Sequence, residues 1–403
     1  MHKSPLVLGV DSKHLKDFGL PEKFEATGSN TGNIIFSEAL FRCVGGAVRS
    51  DYMFKPKELE GRDSIVVTAA NWVNPDSEFT ALLKHLEATN LPIYTIGLGA
   101  QANNTRFVPK LKPDQERLIR LLADRCTTLS VRGAYSAQVM FDLGIKNVEV
   151  TGCPSLLLMG RGPKIRASRG PERVTLHGTR HWFDNGLPEQ DAIYQKAIAN
   201  NYDLVLQSEL AEICVSTGTA EHAEHARRAE NALRTLYPGR HINEVKEYLR
   251  KNAKVFFDLS EWVEYSKTRD LFVGTRIHGT IAALLGGTRA ILLTHDARTE
   301  ELAEALNVPH VPIDRFHSGH YSNLNTLYEM ASPAKLEAGY KQYRATFKQF
   351  MKRNCLTLKS PGPLFRPAGV WPQIKYFAAK RAATFLTMTV AILGALESFT
   401  FAS

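Results

Sequence analysis

The sequence predicts an α/β fold built from two doubly wound domains, and three observations carry that prediction. Short apolar, β-branched runs alternate with helical patterns, as repeated βαβ units require. These runs lack clean polar alternation, which marks strands buried on both faces of a parallel sheet. The chain is also too long, at 403 residues, for one ordinary core and suits two domains of about 150–200 residues.

In the first half the expected strands are 6–10, 64–68, 92–96, 128–131 and 148–151. Helical patterns lie between them at 77–88 and 113–125, with Asp114 early in the second, where a carboxylate suits the helix dipole. Residues 133–136 open a further helix that Gly144 ends. A basic Gly/Pro stretch at 160–172 reads as a solvated linker, and strands resume at 173–176, 203–207, 254–258, 271–274 and 290–294. The expected division is 1–160, 173–332, a helical return at 333–370 and an apolar tail at 371–403. Ligands are expected in the cleft at the carboxyl ends of the strands.

Two segments stand apart. Residues 221–251 are charged and helical in pattern, and His222 and His225 share a face without a third metal ligand, which favours a solvated helix face. Residues 382–396 are almost wholly apolar or Thr, behind Lys375, Lys380 and Arg381. As a helix this stretch spans only ~22 Å, short of a bilayer core of about 30 Å. It suits docking on the body or lying in a membrane interface better than spanning.

Composition excludes other classes. With 44% hydrophobic and 23% charged residues, the chain is neither mainly disordered nor a polytopic membrane protein. Its net charge is +9, but the cations are dispersed and not interleaved with aromatics, so an anionic small substrate is expected and nucleic acid is not. Cys43, Cys126, Cys153, Cys214 and Cys355 never fall in a C-x-x-C spacing, which argues against a disulfide framework or a cysteine zinc site. The apolar run at 6–10 is too short for a signal-peptide core, so a cytoplasmic location is expected.

Three loops, each read as following a strand, offer chemistry. Gly28-Ser29-Asn30-Thr31-Gly32-Asn33 leads into a helix, where backbone amides can approach an anion, although no Gly-Lys-Ser/Thr follows as in a Walker loop. Gly97–Asn104 follows the strand 92–96, and its Gln101 suits a sugar hydroxyl or caps the turn. The third is Thr275-Arg276-Ile277-His278-Gly279-Thr280, after the buried strand 271–274. Its Arg can grip a carboxylate or phosphate and its His can move a proton; a structural ion pair and a helix cap are the alternative.

Taken together, these loops resemble the polysaccharide pyruvyl transferase family. The matching pieces are Gly28–Asn33, Ile96–Gln101, Ser130–Ser136, Thr151–Ser155, Arg276–Gly279 and Asp296–Leu302, in the family's order over about residues 6–315. Many relatives carry Gly-Asp at Gly32-Asn33 and Gly-Asp-Pro at Gly152-Cys153-Pro154, so acidic roles do not carry over to those positions. The resemblance implies two Rossmann-like domains facing a cleft, like the B-type glycosyltransferases. It also implies transfer of a pyruvyl group from phosphoenolpyruvate to two hydroxyls of a sugar, forming a cyclic ketal of an exopolysaccharide or cell-surface glycan precursor, with no cofactor and no metal. By that resemblance Arg276 binds donor anions and His278 transfers a proton or contacts phosphate. Arg180 is a second cation, Arg132 and Arg298 either join the site or lock their loops by ion pairing, and Gln101 and Asn33 are substrate-binding candidates. The acceptor that the resemblance implies is a sugar, free or on a lipid-linked oligosaccharide, and peripheral membrane contact through the tail is expected. A nucleotide-sugar glycosyltransferase is the alternative enzyme, and a glycan-binding protein the non-catalytic one.

Overall fold

The apolar runs of the first half become β1 (Pro5–Leu8), β3 (Ser64–Thr68), β4 (Ile93–Ile96), β5 (Leu129–Val131) and β6 (Val148–Val150), with a short β2 (Val48–Ser50) at an edge. Those of the second half become β7 (Val174–His177), β8 (Asp203–Leu206), β9 (Ala253–Val255), β10 (Leu271–Gly274) and β11 (Arg289–Thr294), with β12 (His310–Pro312) at an edge. In this computed structural model the described residues are 1–75, 77–101, 108–167, 170–179, 188–219, 223–316 and 319–364, with backbone alone for 188–189, 223–226 and 319–320. Every pairing between these strands is parallel. One sheet runs β2-β1-β3-β4, a second pairs β5 with β6, and the third runs β12-β11-β10-β7-β8-β9. A bridge between Leu98 and Val131 joins the end of β4 to β5.

The expected α/β architecture with parallel sheets is what forms, because β-branched and leucine runs buried on both faces need helices over both. The edge strands β2 and β12 are additions. Each is three residues long and partly exposed, so neither leaves an apolar run to read. The helix Leu20–Ala26 is a further addition and requires a correction: the turn 28–33 follows this helix, not a strand. The charged stretch 221–251 forms two helices, Ala223–Leu236 and Ile242–Asn252, separated by Pro238-Gly239 with Gly239 at φ +77°. Arg180, His222 and the tail 371–403 lie outside the described residues, and of His225 only the helical backbone is described.

Two apolar cores form, and each borrows from the other half of the chain. The core of the third sheet holds Leu176, Leu206, Val273 and Ile291, together with Phe24 from the early helix. The core of the first sheet holds Leu6, Ile65, Val67 and Ile93, together with Ala297 from the second half. The long helix Ala334–Arg353 then returns to the first half. There Tyr343 Oη donates to the Cys153 carbonyl at 2.7 Å, and Asn354 exchanges hydrogen bonds with the backbone of Thr128. Met1–Leu364 is consequently one compact unit.

Candidate functional site

In an all-parallel sheet the carboxyl ends of the strands share one edge. At that edge of the third sheet the chain leaves β7 at His177, β8 at Gln207-Ser208-Glu209, β10 at Thr275-Arg276 and β11 at His295-Asp296. The loop after β10 is short because Arg276 is itself the N-cap of the helix Ile277–Leu285. That fixes Arg276 and His278 within the first turn of a buried helix.

Arg276 is only 6% exposed. Its Nη2 donates to Ser208 Oγ, and its Nε lies 3.9 Å from Oε1 of the wholly buried Glu209. Glu209 Oε2 accepts from the amides of Gln207 at 2.6 Å and Ser208 at 3.0 Å. Burial lowers the guanidinium pKa and the Glu209 charge works against that shift.

His278 is 7% exposed, its ring tilted against Phe36 with centroids 5.2 Å apart. Its Nε2 lies 3.5 Å from Cys153 Sγ, which also touches Ser155 Oγ at 2.8 Å. Burial drives the imidazole pKa well below its ordinary value, and Arg132, Arg298 and Arg276 push in the same direction. The ring is therefore neutral near pH 7 in the ligand-free protein. The next residue must be glycine on packing grounds: a Cβ at Gly279 would meet Phe272 Cζ at 2.9 Å and His177 Nδ1 at 3.3 Å. His177 is itself fully buried with no hydrogen bond to either ring nitrogen, and burial holds its pKa well below the usual range.

Asp296 caps the helix Ala297–Leu306, accepting from the Thr299 amide at 2.7 Å, and Arg298 reaches back to it at 3.3 Å. Burial alone would raise the Asp296 carboxyl, but Arg298, His295 and the Thr299 hydrogen bonds hold it below its ordinary value. Arg298 thus makes the ion pair the sequence suggested. Arg132 locks its loop differently. It donates to the carbonyls of Gly97 at 2.7 Å and Ala69 at 3.3 Å and to Asn71 Oδ1 at 2.7 Å, with its guanidinium 5.8 Å from the Phe36 ring centre.

Of the sequence-predicted residues, Arg276 and His278 share the first turn of one helix, and Arg132, Arg298 and Arg276 are all close enough to act on His278 electrostatically. Gln101 sits 3.4 Å from the Asn71 amide, and Asn33 donates to the Thr27 carbonyl at 2.9 Å, closing the 28–33 turn. Sequence reasoning passed over Glu209, Ser208, Gln207 and the Cys153–His278 contact. Gln207-Ser208-Glu209 had a usable signal, a polar run directly after a buried strand. Cys153 stood in the Thr151–Ser155 motif, but its contact with His278 had no signal, because the two lie 125 residues apart. Among the described residues no three His, Cys, Asp or Glu side chains gather as a metal-binding group.

The sequence model of one family, Polysaccharide pyruvyl transferase, matches residues 30–297. No curated protein gives a significant match. Solved structures with some likeness include the UDP-N-acetylglucosamine 2-epimerase from Rickettsia bellii, at 10% identity over 88% of this chain and 98% of that one, with a TM-score of 0.40. The S. aureus MnaA–UDP co-structure has 12% identity over 88% of this chain and 97% of that one, with a TM-score of 0.44. Scores of this size carry no argument about the chemistry of this chain.

Proposed function

Because the chain belongs to the polysaccharide pyruvyl transferase family, we propose that it moves the pyruvyl group of phosphoenolpyruvate onto two hydroxyls of one sugar, closing a cyclic ketal. The observation that carries this reading is the convergence of Arg276, His278 and Arg298 at the strand ends of a parallel sheet. A donor with a phosphate and a carboxylate needs fixed cations, and guanidinium groups match both anions geometrically. We assign that role to Arg276, with Arg298, paired to Asp296, and Arg180 as further candidates.

The protonation state of His278 gives the order of events. Neutral beside several guanidinium groups, it cannot begin as an imidazolium acid. Arrival of the anionic donor adds negative charge, and an opposite charge favours the protonated ring. The proton then passes to the methylene carbon, which becomes a methyl group, while the first sugar oxygen bonds the central carbon and releases its own proton. The second sugar oxygen bonds the same carbon as the bond to the phosphate oxygen breaks, and its proton leaves on the departing phosphate. Phosphoenolpyruvate and a diol thus become a ketal and inorganic phosphate. Acid–base help of this kind contributes typically ~10²–10⁴ in rate, and fixed cations at the departing phosphate contribute further.

A nucleotide-sugar donor would call for a carboxylate open to a ribose. At this edge Glu209 is held by Arg276 and two backbone amides, and Asp296 by Arg298 and the Thr299 amide. A cytoplasmic location, a lipid-linked acceptor and peripheral membrane contact through 371–403 belong to the same proposal. The test is incubation of the purified chain with phosphoenolpyruvate and sugar acceptors, following phosphate release and the ketal methyl signal by proton NMR. Nucleotide release from UDP-sugars, with phosphoenolpyruvate inert, would overturn the reading.

A further inference from the structure

Gln207 is fully buried, yet among the described residues neither its side-chain amide nitrogen nor its side-chain amide oxygen has a hydrogen-bond partner. An amide with both ends unsatisfied is costly to bury and calls for an explanation. Its position supplies one. The amide lies against Gly32, where a Cβ would meet both Gln207 Nε2 and Oε1 at 3.0 Å and His278 Cβ at 3.0 Å. The Thr31 backbone N–H donates to the Gln207 backbone carbonyl at 3.2 Å, and among the described residues the buried Thr31 hydroxyl has no hydrogen-bond partner. Unsatisfied polar groups therefore line the seam where the 28–33 turn meets the end of β8 and the first turn of the His278 helix.

We propose that Gln207 and Thr31 read the hydroxyl groups of the sugar acceptor beside Arg276 and His278, the seam parting to admit them. An amide offers a donor and an acceptor, and a hydroxyl offers both from one atom. Such a pair complements a neutral diol, whose hydroxyls each donate and accept. It complements a phosphate or carboxylate poorly, since those only accept and the arginines already serve them. The inference rests on the pyruvyl-transfer reading for the identity of the site, but its test is separable from that reading.

The experiment compares the full chain with Gln207→Leu and Thr31→Val, near-isosteric changes that remove the unsatisfied atoms. Thermal unfolding is followed without ligand, with phosphoenolpyruvate, and with methyl β-galactopyranoside, methyl β-glucopyranoside and methyl α-mannopyranoside. Without ligand, both variants should melt at or above the parent temperature, because burying an unpartnered polar group stabilises nothing. At least one glycoside should raise the parent midpoint. Its affinity should fall roughly 10-fold or more in Gln207→Leu, while the response to phosphoenolpyruvate persists. A ligand-free loss of stability in both variants would overturn the proposal, since the groups would then have structural partners. So would glycoside binding unchanged in Gln207→Leu, or a parent that responds to no glycoside. If the parent responds to a glycoside but not to phosphoenolpyruvate, and Gln207→Leu loses the glycoside response, the inference stands and the donor reading fails.

Discussion

Cys153 Sγ lies 3.5 Å from Nε2 of His278, so the group with a proposed role in proton transfer meets a cysteine sulfur rather than a carboxylate. Burial first, and then Arg132, Arg298 and Arg276, keep the imidazole pKa low.

Replacing that partner should therefore move the pH profile. A carboxylate at this distance favours a protonated imidazole by about 1–3 pKa units. In Cys153→Asp the limb of kcat/KM that reports His278 should move to higher pH by at least ~1 unit, while Cys153→Ser keeps the parent profile. Identical profiles for all three proteins would show that the contact does not govern His278.

Arg276 should be more sensitive to deletion than to exchange. Arg276→Ala removes the guanidinium 3.9 Å from buried Glu209, and breaking a buried pair of this kind costs about 3–5 kcal/mol. Arg276→Lys keeps a charge but not the planar fork, so it should retain more of the fold and still lose ~10²-fold or more in turnover with phosphoenolpyruvate. Denaturant midpoints and turnover, measured on both variants, test the two halves. Near-normal turnover in Arg276→Lys would remove Arg276 from donor binding.

Gly32→Ala should damage the protein through packing alone. The backbone there is helical in dihedral, at φ −60°, so any residue could adopt it. The added methyl would sit 3.0 Å from the Gln207 amide and from His278 Cβ, and overpacking of this kind costs about 1–3 kcal/mol. A variant with parental stability and activity would mean the seam yields freely.

Acid should destabilise the fold through its buried histidines. Burial first, and then repulsion by Arg276 at His177 and by Arg132, Arg298 and Arg276 at His278, holds both rings well below 6.5. The unfolded chain takes up these protons as pH falls through about 6.5 and the folded chain does not. Their contribution is complete above that value and is lost on acidification, at about 1.4 kcal/mol per pH unit for each ring. Urea midpoints should fall between about pH 7.5 and 5.5, more shallowly in His177→Leu. A parent midpoint that holds or rises over that interval would contradict this.

By itself the sequence determined the sheets and the placing of Arg276 and His278. Runs such as Leu271–Gly274 have to be buried, and a residue following such a strand has to emerge at its carboxyl edge. Local order along the chain is enough for both. Edge strands such as Val48–Ser50 escaped because partial exposure leaves no pattern to read. What surrounds the site was decided only by tertiary structure. Cys153 against His278, Glu209 and Ser208 against Arg276, and Gly32 against Gln207 are contacts between residues 67 to 175 positions apart. Hydrogen-bond satisfaction and the electrostatic field at a ring depend on distances of a few ångströms between such segments, and periodicity along one chain holds no record of them.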